Sequence, residues 1–142
     1  MLPSPFHCEN EIMTFNKPCA FCTLPESRLI DSSGLALVIR DGFPISRGHT
    51  LIIPRRHTGS FFNLAADERN DLFALLDRAK VVLDAEFSPD GYNLGINDGA
   101  AAGQTVPHLH MHLIPRYNGD CPDPRGGVRW IVPDKADYWS KR

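Results

Sequence analysis

The chain has 142 residues, a length that suits one domain and can bury roughly 68–70% of its unfolded surface without staples. Its hydrophobic share of 42% and charged share of 23% place it among ordinary globular chains rather than disordered or membrane-embedded ones. A net charge of −2 excludes broad electrostatic binding of polymeric nucleic acid, while leaving room for a local pocket that takes a small phosphate ligand.

Residues 1–16 show no clear period, and Pro3 and Pro5 discourage regular structure, so an N-terminal extension is expected there. Met1 to Met13 lacks the basic start and apolar stretch of a signal peptide, and no apolar run is long enough for a bilayer. The expected setting is cytoplasmic, with no membrane partner. Thiols stay reduced there, so the four cysteines read as ligands or inert thiols rather than disulfides. His7 and Cys8 form an incidental local pair. Pro18-Cys19-Ala20-Phe21-Cys22 contains a Cys-x-x-Cys, which has three readings: a redox pair, half of a zinc site, or two unrelated buried thiols. The thioredoxin-like unit that a redox pair requires is absent from the pattern. A zinc site needs two further ligands, for which the histidines are candidates.

Arg28 to Asp31 and Leu35 to Ile39 predict two strands joined by the turn residues Ser32-Ser33-Gly34. Asp41-Gly42 opens a loop, and His49 to Ile53 is a third strand closed by Pro54. Residues 66–87 carry the clearest helical period, with Leu72, Leu75, Leu76, Ala79, Val82, Leu83 and Phe87 at three- and four-residue intervals. Asp67 and Glu68 suit its first turn, and Pro89 ends it. This stripe is assigned to core packing on a sheet and to no chemistry. Tyr92 to Asn97 is a fourth strand. It leads into a loop of small residues, Asp98 to Gly103, whose glycines allow the backbone to approach a phosphate closely. Backbone N–H groups there, the Gln104 amide and the Thr105 hydroxyl are candidate donors to phosphate oxygens.

The most informative run is Gly103-Gln104-Thr105-Val106-Pro107-His108-Leu109-His110-Met111-His112-Leu113-Ile114-Pro115-Arg116. On a strand, alternation would set His108, His110 and His112 on one face and Leu109, Met111 and Leu113 on the other, toward a core. Three readings are open: a metal-scavenging tract, a zinc hydrase with several imidazoles on one ion, and nucleophilic catalysis by imidazole. A neutral imidazole nitrogen attacks phosphorus well near pH 7, since the free side chain titrates near pH 6.5.

The His-apolar-His-apolar-His-apolar-apolar pattern closely resembles the signature of the histidine triad superfamily, and the chain is similar to its bacterial zinc-containing branch. "RGHTLIIPRRH" and "NDGAAAGQTVPHLHMHLIPR" extend the likeness over roughly residues 17–132. The resemblance implies an α+β fold: an antiparallel sheet of about five strands with one long helix, in a homodimer built through the helix and neighbouring strands. It implies a domain over residues 17–116 and a C-terminal tail, 117–142, packing on the domain or on the dimer partner. It makes His110 the nucleophile toward the α-phosphorus of a nucleotide, with His112 beside the phosphate as proton donor and His108 completing the triad. Asn97, Gln104 and Thr105 map to positions that contact phosphate or leaving group. Asp41 maps to the acidic residue that accepts the ribose hydroxyls, although Asp-Gly is also ordinary turn chemistry. The base would lie among apolar side chains such as Phe21, Leu37 and Ile52. Some relatives hold structural zinc on a set that maps to Cys19, Cys22, His57 and His108, with His49 a less well matched substitute for His57. Such a closed site is structural rather than catalytic.

Relatives that transfer nucleotides to sugar phosphates place Gln where this chain has His112, a departure that favours hydrolysis. The implied substrates are dinucleoside polyphosphates, nucleoside phosphoramidates or adenylated adducts. A different class of function, a nucleotide-binding regulator with little turnover, fits the same residues. Arg125 and Arg129, in the tail segment "PRGGVRW", read either as surface charge or as guanidinium donors crossing to a partner subunit's phosphates.

Overall fold

The computed structural model describes residues 18–141. The expected extension over 1–16, with His7 and Cys8, falls outside the described residues. Five strands form one antiparallel sheet: β1 (Leu29–Ser32), β2 (Ala36–Arg40), β3 (Thr50–Pro54), β4 (Gly91–Ile96) and β5 (Met111–Arg116). Their spatial order is β1-β2-β3-β5-β4. The single long helix, α1 (Ala66–Phe87), connects β3 to β4.

The sheet is covered on both faces, which is why β2 and β3 read as continuous apolar runs rather than as alternating ones. Ala36, Val38, Ile52, Met111 and Leu113 face the helix and pack on Leu72, Leu75, Ala79 and Leu83. Leu37, Ile39, Leu51 and Ile53 face the other way, under Phe21, Leu24 and Leu29. The helical stripe is narrower than its sequence period suggests: Leu76 and Phe87 are only partly buried and Val82 is exposed, at the margin of the contact.

The helix ends are fixed locally. Glu68 reaches back to accept the Ala65 N–H at 3.0 Å, and Arg56 grips the same carboxylate at 2.9 Å. Ala65 has no side-chain oxygen to complete a capping box, so the acid alone satisfies that end. Together these contacts tie the first turn of α1 to the chain leaving β3. At the other end Ser88 adopts a left-handed conformation (φ 47°) just ahead of Pro89.

Two strand pairings place the last histidine of the run. Antiparallel β3 and β5 set Leu51 opposite His112, and β4 and β5 set Gly95 opposite the same residue. His112 therefore sits mid-sheet, on the face away from the helix.

Gly48, just before β3, has φ +83°, and a Cβ there would lie 2.8 Å from Leu83 and 2.9 Å from Phe87. Gly48→Ala combines a left-handed alanine with a clash against the helix. It is expected to cost about 2–4 kcal/mol, read as a lower urea midpoint with an unchanged denaturant slope.

Candidate active site

The triad does not lie wholly on a strand. β5 begins at Met111, so His108 and His110 precede it and only His112 belongs to the hydrogen-bonded ladder. Leu109 donates its N–H to the Thr58 carbonyl at 2.7 Å, which anchors the approach to the strand. The apolar alternation still holds: Leu109, Met111 and Leu113 are all buried.

Each histidine ring has one nitrogen pinned, and the pinned atom sets the tautomer. A backbone carbonyl can only accept. His110 Nδ1 therefore carries the proton that it donates to His108 O at 2.9 Å, so the neutral form of this ring has its lone pair on Nε2. His108 Nε2 donates in the same way to Pro54 O at 2.8 Å, leaving Nδ1 as the lone pair. His49 Nδ1 accepts the Ile45 N–H at 3.2 Å, so its proton is on Nε2. That proton points at His112 Nδ1, 2.9 Å away, and at Asp41 Oδ2, 3.3 Å away. His112 Nδ1 is then an acceptor, and His112 presents Nε2–H.

His49, which the sequence offers only as a substitute zinc ligand, is thus the residue that orients His112. The signal is the register: His49 is two residues before Leu51, which pairs with His112, so the two histidines share a face. Sequence alone does not pair β3 with β5.

Asp41, His49, Asn97, Thr105, His110 and His112 all border one cleft of about 900 Å³ on the sheet face away from the helix. Asp41 Oδ1 accepts the Phe43 N–H at 2.8 Å, so the turn role and a cleft position coexist in one carboxylate. Phe21, Ile39 and Leu51 supply apolar wall. Phe21 sets its ring edge against His110, with centroids 5.2 Å apart. Of the other apolar residues expected near a base, Leu37 is buried on this side of the sheet. Ile52 faces the helix, because alternation sends it opposite to Leu51.

Gln104 is engaged otherwise than its family position implies. Its Oε1 accepts the Gly99 N–H at 2.8 Å, and its Nε2 donates to Gly59 O at 2.8 Å and Val106 O at 3.2 Å. The amide spans the small-residue loop as a strut and is not among the residues bordering the cleft. The loop's own N–H groups at Ala102, Gly103 and Gln104 also bond within it. A second brace comes from Asp98, a residue the sequence did not single out, whose Oδ2 accepts from Ser60 Oγ at 3.0 Å and Phe61 N at 2.9 Å.

Among the described residues, two groups of side chains are close enough to share an ion: Cys19, Cys22, His57 and His108, and Asp41, His49 and His112. His110 belongs to neither, so the triad does not converge on one metal as a zinc hydrase requires. In the first group the lone pair of His108 Nδ1 lies 3.4 Å from Cys19 Sγ and 3.5 Å from Cys22 Sγ, and His57 Nδ1 lies 3.3 Å from Cys22 Sγ. A tetrahedral zinc with ordinary bond lengths sets sulfur and nitrogen about 3.6 Å apart, so the donor set fits that ion. In the second group His49 Nε2 carries a proton rather than a lone pair, which suits a hydrogen-bond relay.

The tail engages both of its candidate arginines within itself. Arg125 pairs with Asp123 at 2.8 Å and covers the Trp139 ring. Arg129 donates to Ala136 O and Lys135 O and covers Tyr138.

Burial holds His49, His108 and His112 below the usual imidazole range. His112 is pushed down to about 4, first by burial and then by the repulsion it would meet from His110 and His49 once they too take up protons, with Asp41 opposing. A depressed imidazole contributes stability that is complete above the unfolded value near 6.5 and is lost as pH falls through the folded value. Stability should therefore decline from about pH 6.5 toward pH 4, with His112 contributing on the order of 2–3 kcal/mol. The check is the urea midpoint across that range, where His112→Gln should flatten the decline; a decline of unchanged depth in the variant contradicts the assignment.

The HIT domain family matches residues 25–119 of the chain. A HIT-like protein of Mycobacterium tuberculosis is 38% identical over 108 residues, covering 72% of this chain and 74% of the relative. A bis(5'-nucleosyl)-tetraphosphatase (asymmetrical) of Schizosaccharomyces pombe is 44% identical over 77 residues, covering 54% of this chain and 42% of that enzyme. The crystal structure of a HIT family protein from Bacillus anthracis superposes with a TM-score of 0.67 at 35% identity, over 72% of this chain and 75% of the other. With the match spanning the sheet, the helix and all three histidines of the run, the chain belongs to the HIT domain family.

Proposed function

We propose that the protein is a nucleotide phosphohydrolase acting at an α-phosphate through a covalent nucleotidyl-His110 intermediate. One observation carries this reading: His110 Nδ1 is committed to a backbone carbonyl at 2.9 Å while the residue borders the cleft, so the neutral ring has its lone pair on Nε2. An imidazole so held is a nucleophile with its lone pair fixed in direction.

The step begins when Nε2 attacks the α-phosphorus and forms an N–P bond. The P–O or P–N bond to the leaving group breaks, its electron pair departs with that group, and the His112 Nε2 proton passes to the leaving atom where that atom is an amine nitrogen. His112 offers Nε2–H to the phosphate oxygens, oriented by His49, whose Nε2–H also faces Asp41. Asn97 and Thr105 border the same space and are the remaining polar candidates for those oxygens. Asp41 retains acceptor capacity for a ribose diol. Water then attacks phosphorus, the N–P bond breaks, and a nucleoside monophosphate leaves with the proton released. Dinucleoside polyphosphates, phosphoramidates and adenylated adducts share this chemistry, and relatives named for bis(5'-nucleosyl)-tetraphosphatase and bis(5'-adenosyl)-triphosphatase activity support the first class.

Structural zinc on Cys19, Cys22, His57 and His108 belongs to the same reading. The ion would tie the Cys19–Cys22 turn to the approach of β5, two residues before the nucleophile, and leave no open position for substrate. A homodimer is also part of it. The helix leaves Phe73, Val81 and Val82 exposed around its circumference, and β4, at the edge of the sheet, exposes Leu94. Among the described residues no helix is long and apolar enough to cross a membrane.

Two outcomes are expected. His110→Ala should lower release of adenosine monophosphate from diadenosine tetraphosphate by at least about a thousandfold, while nucleotide affinity changes only a few-fold. Turnover that survives the substitution refutes the intermediate, and equally negligible turnover in both proteins favours a regulator. Purified protein should also carry one zinc per chain. Chelation should lower its stability by about 2.7–4.1 kcal/mol relative to free zinc held 100- to 1,000-fold above Kd, and Cys22→Ser should abolish the difference.

A further inference from the structure

One residue joins the thiol pair to the rest of the histidine run. His108 is fully buried. Its Nδ1 lone pair faces Cys19 Sγ at 3.4 Å and Cys22 Sγ at 3.5 Å, and its Nε2–H donates to Pro54 O at 2.8 Å. Its carbonyl accepts the His110 Nδ1–H at 2.9 Å. A second link runs through Phe21, which lies between the two cysteines in the chain. Its ring meets His108 edge-on with centroids 5.8 Å apart, and His110 with centroids 5.2 Å apart. A rearrangement of the Cys19–Cys22 turn therefore reaches His110 by two routes: the carbonyl that sets its tautomer and the ring that packs on it.

The turn brings the two sulfurs close enough to join. Cys22 N–H donates to Cys19 O at 3.1 Å, closing a turn whose end Cα atoms lie within about 7 Å of each other. A disulfide spans Cα separations of about 4.4–6.8 Å. The two sulfurs lie within 4.8 Å of each other. Cys22 is exposed and Cys19 is half-buried, so a small solute reaches the pair. Joining also strips His108 of its partners. As thiols the sulfurs donate to its Nδ1, and as thiolates they share a cation with it. A disulfide sulfur does neither, having no proton and no negative charge. A fully buried lone pair is then left without a partner, and the ring relieves that only by moving.

We propose that Cys19 and Cys22 are a reversible oxidation site for peroxides, and that closing their disulfide loosens the hold of His108 and Phe21 on His110. In the first step one sulfur attacks hydrogen peroxide: an S–O bond forms, the O–O bond breaks, and one oxygen leaves as water. In the second the other sulfur attacks that sulfenic sulfur: the S–S bond forms, the S–O bond breaks, and the second oxygen leaves as water. Two electrons pass from the sulfurs to the peroxide. The two protons needed come from the thiols, or from solvent where the sulfurs are zinc-bound thiolates. A dithiol returns the pair to its reduced state by exchange. Disulfides in reducing compartments are mostly of this transient, sensing kind. The oxidation is independent of the hydrolase and zinc readings, whereas its effect on turnover rests on the hydrolase reading.

The test oxidises the full chain with hydrogen peroxide, alkylates the remaining thiols and maps them by mass spectrometry. A Cys19–Cys22 disulfide is expected, with Cys121, whose sulfur accepts from Arg116 at 3.2 Å, still free. Turnover of diadenosine tetraphosphate should fall about a hundredfold, the scale of a reacting group displaced by about an ångström, and return with dithiothreitol. Cys121→Ser should respond as the parent chain does. Cys22→Ser, whatever its own turnover, should not respond to peroxide. Nitrogen NMR of the histidine rings reads His110 directly, its signals assigned by their loss in His110→Ala. The split between its two nitrogens, wide for one fixed tautomer, should narrow on oxidation and reopen on reduction. If neither state turns substrate over but the split responds, the oxidation site stands and the hydrolase reading falls. Closure with the same response in metal-free protein leaves the site standing without zinc. Three results overturn the proposal: a disulfide to Cys8 or Cys121 in place of this pair, both thiols still free after peroxide, or a closed disulfide that leaves either the His110 split or measurable turnover unchanged.

Discussion

A hydrogen bond from His110 Nδ1 to the carbonyl of His108, 2.9 Å long and spanning two residues, fixes both the tautomer and the direction of one imidazole. It needs the chain to be turned at His108 and extended again by Met111. That turn is held by His108 Nε2 on Pro54 O and by Leu109 N on Thr58 O. The geometry of His110 therefore depends on the β3 exit as much as on its own strand. The exit is itself anchored to the helix through Arg56 and Glu68.

The four histidines clustered here divide the work by which nitrogen each has committed. His108 turns a lone pair outward to the thiols of Cys19 and Cys22 and so belongs to the scaffold. His110 turns its lone pair to the cleft. His112 turns a proton there, because His49 occupies its other nitrogen. Burial keeps His112 neutral well below pH 7, so it serves as an oriented donor rather than as a standing positive charge. Three imidazoles at alternate positions thus have three roles, each set by a backbone group or side chain outside the run.

Much of this was legible in the sequence because it rests on local rules. The helix over 66–87 shows in its period and its Pro89 stop, and the strands in their apolar runs and turn residues. The triad, the cysteine pair and Asp41 stand out by residue type and spacing. What was not legible depends on tertiary placement. His49 becomes an orienting residue only once β3 lies beside β5. Gln104, which looks like a phosphate donor by position, is consumed by Gly99, Gly59 and Val106 because the loop folds over its amide. The strand beginning at Met111 rather than His108 follows from the bond to Thr58, which no periodicity reveals. The tail was readable as something that packs and as the source of two arginines; that it borders the cleft depends on two glycines with positive φ.

A covalent bond between His110 and phosphorus is the event on which the proposed chemistry turns. Protein mixed briefly with diadenosine tetraphosphate, quenched in alkali and digested, should yield one peptide heavier by a single adenylyl group. Fragmentation should place that group on His110, and the adduct should be missing from His110→Ala. An adduct on His112, or rapid product release with no adduct at any quench time, would contradict the proposed role of His110.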